Sequence, residues 1–155
     1  SLGRINMRAV ITSVFDTSAE KAWENAKLRK TMFYICDGLL SFKTHNLPEK
    51  FVNGSEAQCK IWFFRILPGW KHNWWIKNID PIRMKIDSEE YGGLVKRWNH
   101  IIKIESLNDK QCSYTDDVEI KAGLVTPVVW LWANAFYRYR QRRWKKLINV
   151  GFNVV

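Results

Sequence analysis

The spacing of apolar residues changes character twice along the chain. Asn6–Phe15 mixes β-branched and polar residues, which is typical of a strand. Asp16–Ser18 then supplies three N-cap residues and Glu20 completes a capping box, so a short helix is predicted to begin at about Ser18. A second short helix is predicted over Arg29–Cys36, before a glycine ends it.

The middle of the chain alternates with the period of two that strands require. Ile82, Met84 and Ile86 give the clearest case, since charged or polar residues separate them. The connections are too short for parallel crossovers, which predicts antiparallel pairing. The predicted strands are Leu40–His45, Ala57–Ile66, Trp70–Ile79, Ile82–Ser88, Val95–Glu105 and Gln111–Lys121. The predicted turns are Leu67–Gly69, Asp80-Pro81, Glu89–Gly93 and Ser106–Lys110.

The last part of the chain returns to helical spacing. Thr126-Pro127 offers an N-cap and a proline for the first turn, and a helix is predicted from Val128 to about Asn149. Its first two turns, Val128–Ala133, are apolar all round, which predicts that they are enclosed on every side. The predicted inward stripe is Val129, Trp132, Phe136, Tyr139, Arg143 and Leu147.

These elements predict an α+β fold. A seven-stranded sheet must bury one face, and the C-terminal helix is the element long enough to cover it. A curved antiparallel sheet wrapped around that helix leaves a cavity wherever side chains fail to fill the space. The 155 residues are interpreted as one domain, in which Ser1–Gly3, without an initiator methionine, is consistent with a cloning remnant.

The composition limits the class of protein and the cellular compartment that can be expected. Cys36, Cys59 and Cys112 are odd in number and have no C-x-x-C spacing, so buried thiols are predicted, as in a cytoplasmic protein. No apolar run approaches the roughly 20 residues of a membrane span, and no secretory leader is recognised. The three histidines are not spaced as metal ligands, and nucleotide-binding and hydrolase motifs are absent, so no metal or cofactor is expected.

The net charge of +10 is concentrated near the C-terminus. No Asp or Glu occurs from Ala122 onward, whereas six cations do: Arg138, Arg140, Arg142, Arg143, Lys145 and Lys146. A solvated helix face is the favoured interpretation, since cations complement the dipole at a helix C-terminus. The alternative is a basic module for nucleic acid or an anionic membrane, although no nucleic-acid motif supports it.

Three stretches resemble the START-like or SRPBCC superfamily, which includes birch-pollen-allergen-like and polyketide cyclase/dehydratase-like proteins. They are Asp16–Trp23, the hairpin of Arg97–Ile102 with Tyr114–Ile120, and Thr126-Pro127 followed by Phe136–Leu147. The resemblance in element order covers about Arg4 to Asn149. It implies a helix-grip fold that holds, or in some branches transforms, a hydrophobic small molecule. Thr17-Ser18 stands where that pattern usually has Ala-Pro, and nine tryptophans could fill part of the cavity.

The alternation of inward and outward side chains along two neighbouring strands places three polar residues on the same inner face of the sheet. His100 is on the apolar face of its strand, and Tyr114 and Asp116 are on the inward face of the next one. A histidine, a phenol and a carboxylate in an apolar cleft could perform acid–base catalysis or orient a ligand. They could also satisfy one another, with Asp116 accepting from Tyr114, from His100 or from an arginine such as Arg65.

Aromatic residues supply candidate cavity walls, with core packing as the alternative for each. The predicted ligand-binding residues are Trp62, Trp74, Met84, Trp98, His100, Tyr114, Asp116, Trp132, Phe136 and Tyr139. In the adjacent pairs Phe63-Phe64 and Trp74-Trp75, one member must face away from the cavity, which hints at a homodimer.

Three functions remain open from the sequence. The leading one is binding or transport of a lipid-, sterol- or polyketide-like molecule between sheet and helix. The second is a cyclase/dehydratase- or isomerase-type enzyme that uses His100, Asp116 and Tyr114 in the same cavity. The third is the basic interaction module. The partner expected on the leading interpretation is a hydrophobic small molecule.

Overall fold

Seven antiparallel strands form one sheet in the computed structural model, which describes residues 5–43 and 46–153. The strands are β1 (Met7–Phe15), β2 (Leu40–Lys43), β3 (Glu56–Phe63), β4 (Leu67–Asp80), β5 (Lys85–Gly92), β6 (Val95–Asn108) and β7 (Gln111–Lys121). They lie in the order β1-β7-β6-β5-β4-β3-β2, so the first strand closes beside the last. Ser1–Gly3, and the predicted end of a strand at Thr44 and His45, lie outside the described residues.

Three α-helices complete the fold: α1 (Ala19–Ala26), α2 (Arg29–Cys36) and α3 (Thr126–Asn149), the last preceded by a 3-10 turn at Gly123–Val125. The Ser18 hydroxyl caps α1 by accepting from the Lys21 amide at 3.3 Å. At 1.5 Å per residue α3 is about 36 Å long. No helix of the described ranges is long and apolar enough to span a membrane.

The sheet curls around α3, as predicted. The helix packs against β1, β7 and α2, while α1 packs against β6 and β7. At the centre of this core, Phe15 stacks on Tyr114 with ring centroids 4.9 Å apart and on Trp144 at 5.6 Å. One aromatic cluster therefore joins β1, β7 and α3.

The turn predicted at Leu67–Gly69 is wrong by three residues. The chain reverses at 64–66, where Phe64 and Arg65 adopt left-handed conformations with φ of 51° and 64°. Reversing earlier lets Leu67 and Pro68 pair with β3. Pro68 is tolerated because it lies at the start of a strand, where a missing amide donor costs little.

The strand predicted at Ile82–Ser88 begins later, at Lys85. The Asp80 carboxylate accepts from the amides of Ile82 and Arg83, both at 3.0 Å, and fixes a turn through Met84. Ile82 is consequently exposed, and Met84 adopts a left-handed conformation. The turn predicted at Glu89–Gly93 is also wrong in part, because β5 continues to Gly92.

The inward face of α3 is rotated from the predicted stripe. Its fully buried face contains Ala133, Phe136, Tyr137, Arg140, Gln141, Trp144 and Leu147, whereas Tyr139 and Arg143 are half-buried. The first turns are not enclosed on every side, since Val128 and Leu131 are exposed. The inward side of the helix could not be predicted from Val128–Ala133, because an apolar run without polar residues indicates no preferred face.

Candidate functional site

A cavity of about 270 Å³ lies between the inner face of the sheet and α2 and α3. Its walls are mostly aliphatic and aromatic side chains from all three helices and from β2 to β7. Two lining residues are also exposed to solvent, Leu94 at 62% and Val128 at 68%. The cavity therefore opens between the β5–β6 turn and the first turn of α3.

Several of the predicted ligand-binding residues lie on this wall. Trp132 and Phe136 are successive inward residues of α3, and their rings stack with centroids 5.9 Å apart. Phe63, on β3, meets Trp132 edge-on at 5.9 Å. The predicted residues that line the cavity are Trp74, Trp98, His100, Tyr114, Trp132 and Phe136.

Four predicted residues lie outside the lining: Trp62, Met84, Asp116 and Tyr139. Trp62 is on the outer face of β3, because the inward residues of that strand are Ala57, Ile61 and Phe63. Its ring lies under the ammonium of Lys43 at 4.1 Å. Met84 lies in the turn before β5. The Tyr139 hydroxyl donates to the carbonyl of Asp37 and so fastens α3 to the end of α2.

Asp116 lies directly behind the cavity wall and is fully buried. Its Oδ1 lies 2.7 Å from His100 Nε2, and its Oδ2 accepts from Gln141 Nε2 at 3.0 Å. Burial alone would raise the pKa of Asp116, but the nearby Arg140 and the hydrogen bonds from His100 and Gln141 hold that pKa below its usual value. Asp116 is therefore a buried anion that orients the His100 ring, and the ring itself lines the cavity.

Tyr114 does not join this pair. It lies opposite Ile104 in the β6–β7 hairpin, whereas His100 lies opposite Val118, so the two side chains are separated along the sheet. Its buried hydroxyl has no hydrogen-bond partner of normal geometry among the described residues. Asp116 thus accepts from His100, as one predicted alternative had it, but not from Tyr114. Arg65 pairs with Asp37 on the surface instead.

Sequence reasoning missed a second polar cluster on the wall. The Glu90 carboxylate lies 3.0 Å from His72 Nε2 and accepts from the indole nitrogen of Trp74. Burial raises the pKa of Glu90, but the hydrogen bond and attraction of His72 outweigh that effect and lower it. Glu90 was assigned to a turn, so its inward position was not recognised, although continued alternation from Ile86 would have indicated it.

Arg140 is the other missed residue. It is 8% exposed and lines the cavity. Within the described ranges its guanidinium forms no ion pair and its Nε has no hydrogen-bond partner; the group lies over the ring of Tyr137, 5.0 Å from the centroid. Its position four residues after Phe136 and four before Trp144 was the available signal, since those positions share one helix face.

The remaining C-terminal cations divide into two groups. Arg143 is half-buried, donates to the Tyr34 carbonyl at 3.0 Å, and lies 4.0 Å from the Tyr34 ring centroid. Arg138, Arg142, Lys145 and Lys146 are exposed. The prediction of a solvated face is correct for this second group and wrong for Arg140 and Arg143.

The cysteines are free and buried, as predicted. Burial raises the pKa of Cys36 and of Cys112 to about 11 and that of Cys59 to about 12. Among the residues that the structure describes, no three His, Cys, Asp or Glu side chains come together as a metal site.

Solved structures share this architecture. Norcoclaurine synthase from Thalictrum flavum, in complex with dopamine and hydroxybenzaldehyde, is 12% identical with a TM-score of 0.71, covering 99% of this chain and 92% of that one. A START superfamily protein from Mycobacterium smegmatis is 11% identical with a TM-score of 0.64, covering 92% and 97%. Major latex-like protein 151 from Panax ginseng is 11% identical with a TM-score of 0.66, covering 91% and 96%.

The chain therefore has the START-like helix-grip fold that its element order predicted. No protein-family profile and no curated protein sequence matches it. At these identities the likeness shows the fold alone, so function has to be argued from the cavity.

Proposed function

We propose that the protein binds or transports a hydrophobic small molecule, such as a lipid, sterol or polyketide, in the cavity between the sheet and α3. The observation that carries the proposal is the cavity itself, which is apolar, aromatic-lined and open to solvent beside Leu94 and Val128. A site of this kind removes apolar ligand surface from water, and that transfer contributes about 25 cal/mol per Å² buried.

The fold is compatible with this use. Norcoclaurine synthase, which has the same fold, has been captured with the aromatic molecules dopamine and hydroxybenzaldehyde. Aromatic walls such as those of Trp74, Trp98 and Trp132 suit flat or lipid-like ligands. The few polar groups on the wall would orient the ligand without providing most of its binding energy.

The test uses N-phenyl-1-naphthylamine, a neutral apolar dye whose fluorescence rises in apolar surroundings. Ala57→Phe adds a ring at a lining position of β3, whereas the neighbouring Glu56→Phe adds the same ring at an exposed position. We expect the wild type and Glu56→Phe to bind the dye alike and Ala57→Phe to bind at least tenfold more weakly. Equal binding by both variants, or no binding by the wild type, would refute the proposal.

A second candidate function is acid–base catalysis on the bound molecule. It is favoured by the 2.7 Å contact between His100, on the cavity wall, and the buried Asp116 that orients it. The discriminating pair is His100→Ala and Trp132→Ala, assayed by mass spectrometry on a ligand that co-purifies with the protein. If the protein is a catalyst, His100→Ala should lose conversion of the ligand but keep its binding. If the protein is a carrier, only Trp132→Ala should weaken binding.

A further inference from the structure

The guanidinium of Arg140 is a charged group on an apolar wall. An arginine side chain stays protonated at any pH at which the protein folds. Its position is 8% exposed, its Nε has no hydrogen-bond partner, and no carboxylate among the described residues forms an ion pair with it. Burial of a charge without an anionic partner is unfavourable, which makes this position a candidate for binding a ligand that supplies one.

The neighbouring carboxylate does not fill this role. Asp116 attracts Arg140 electrostatically, yet both of its oxygens are already engaged by His100 and Gln141, and no ion pair within 4 Å joins it to Arg140 within the described residues. The other electrostatic neighbours of Arg140 are the Cys36 thiol and the hydroxyls of Tyr114 and Tyr137, which are neutral. The donors of the guanidinium therefore remain available to the cavity.

Two further donors lie at the same end of the cavity. The Tyr114 hydroxyl and the Trp144 indole nitrogen are buried, and neither has a hydrogen-bond partner of normal geometry among the described residues. The two rings are neighbours, with centroids 5.2 Å apart, and both residues line the cavity together with Arg140. Arg140 and Trp144 both approach the Tyr114 hydroxyl, yet no carboxylate or carbonyl oxygen among the described residues accepts from any of the three. The cluster therefore forms a site for an acceptor that carries negative charge.

We propose that Arg140, supported by Tyr114 and Trp144, binds the carboxylate of an amphipathic acid whose apolar body occupies the rest of the cavity. This inference rests on the proposed function and specifies its ligand class. A carboxylate matches the planar fork of a guanidinium and carries one charge. A phosphate would bring close to two charges near the buried Asp116 carboxylate, which repels each added negative charge.

The test compares acids with neutral analogues of the same shape. Each compound is measured by its displacement of N-phenyl-1-naphthylamine at pH 7. Decanoic acid is compared with decan-1-ol, and 2-naphthoic acid is compared with 2-naphthol. We expect the wild type to prefer the acid of at least one pair by about ten- to a hundredfold, the range of a charge-assisted hydrogen bond. The variant Arg140→Met keeps the volume of the side chain, so it should bind the alcohol as well as the wild type and lose the preference.

Arg142→Met is the matched control, because Arg142 is an exposed cation on the same helix, and it should keep the full preference. Arg140→Lys, which retains the charge without the fork, should keep part of it. Circular dichroism establishes that each variant is folded, and the wild-type comparison by itself remains decisive if Arg140→Met does not fold.

The outcomes separate this inference from the proposed function. If the wild type binds the dye but no acid is preferred, or if Arg140→Met retains the wild-type preference, the carboxylate site is refuted and hydrophobic binding stands. If the wild type does not bind the dye, the proposed function fails and the inference fails with it.

Discussion

Asp116 is the residue whose charge the fold depends on most directly. Its folded-state pKa is below the usual Asp value, since burial is outweighed by Arg140, His100 and Gln141. The stabilisation is therefore complete above the unfolded pKa of about 3.9 and is lost as the pH falls through the lower folded value. Asp116→Asn should cost roughly 3 kcal/mol of unfolding free energy at neutral pH, measured by urea denaturation, and progressively less below about pH 4.

The adjacent Asp117 provides the control for this prediction. It lies on the outer face of β7 and pairs with the exposed Arg8, a surface contact that contributes little to stability. Asp117→Asn should therefore change the unfolding free energy little at any pH. A loss at Asp116→Asn that does not shrink in acid would show that the Asp116 carboxylate stabilises the fold by its shape rather than by its charge.

The cysteines give a second prediction at this scale. Because burial raises the pKa of the Cys36, Cys59 and Cys112 thiols to about 11, 12 and 11, little reactive thiolate is present at pH 8. Reaction with Ellman's reagent should be slow in the native protein and complete within minutes in denaturant. Rapid labelling of the native protein would contradict the buried positions.

At single positions the sequence was informative where strand alternation was regular. The hairpin of β6 and β7 keeps an uninterrupted register from Arg97 to Ser106, so His100, Tyr114 and Asp116 all have buried side chains, as their parity predicted. The inward position of Arg140 was not predicted, because the C-terminal cations were considered together and not by helix face. Arg140 can be separated from its exposed neighbours only once the inward face of the helix is known.

Whole elements were predictable wherever a capping residue, a helix-ending glycine or a hairpin marked them. The bounds of α2 (Arg29–Cys36) and β7 (Gln111–Lys121) match the prediction. Turns were less predictable, because side-chain contacts far along the chain decided between alternatives. Alternation from Ile86 indicates the inward side of Glu90, but the residues that hold its carboxylate, His72 and Trp74 from β4, are distant in the sequence and were not identified from it.

The β5–β6 turn gives a prediction at the scale of elements. Gly93 has φ of +53°, and a Cβ there would lie 2.2 Å from the ring of Trp70, which lines the cavity. Gly93→Ala therefore combines a strained backbone with displacement of that ring, and it should lower the unfolding free energy by roughly 2–4 kcal/mol.

Gly123 is the matched control, since its φ is +58° and a Cβ there would meet nothing within 4 Å. Gly123→Ala should cost about 1–2 kcal/mol, the backbone strain alone. Thermal denaturation of the two variants measures the difference. Equal losses would mean that the Trp70 ring does not pack closely on this turn.

For the molecule as a whole, the decisive feature is the position of α3 in the hollow of the sheet. The helix covers the cavity along its buried face, while Val128 and Leu131 near its start remain exposed. That arrangement gives the cavity an apolar interior and an opening at one end of the helix. The sequence predicted that an interior space exists but not its position or size. The order of elements predicts a curled sheet, whereas the side chains that leave room inside it are known only from the structure.

The nine tryptophans allow the central claim to be tested directly. Trp70, Trp74, Trp98, Trp132 and Trp144 line the cavity, whereas Trp23, Trp62, Trp75 and Trp130 do not. Each indole N–H gives its own signal in a ¹H–¹⁵N correlation spectrum, and single Trp→Phe variants assign them. Titration with N-phenyl-1-naphthylamine should shift the signals of the lining group and leave the other group in place. Shifts confined to the non-lining group, or spread equally over both, would contradict a ligand site between the sheet and α3.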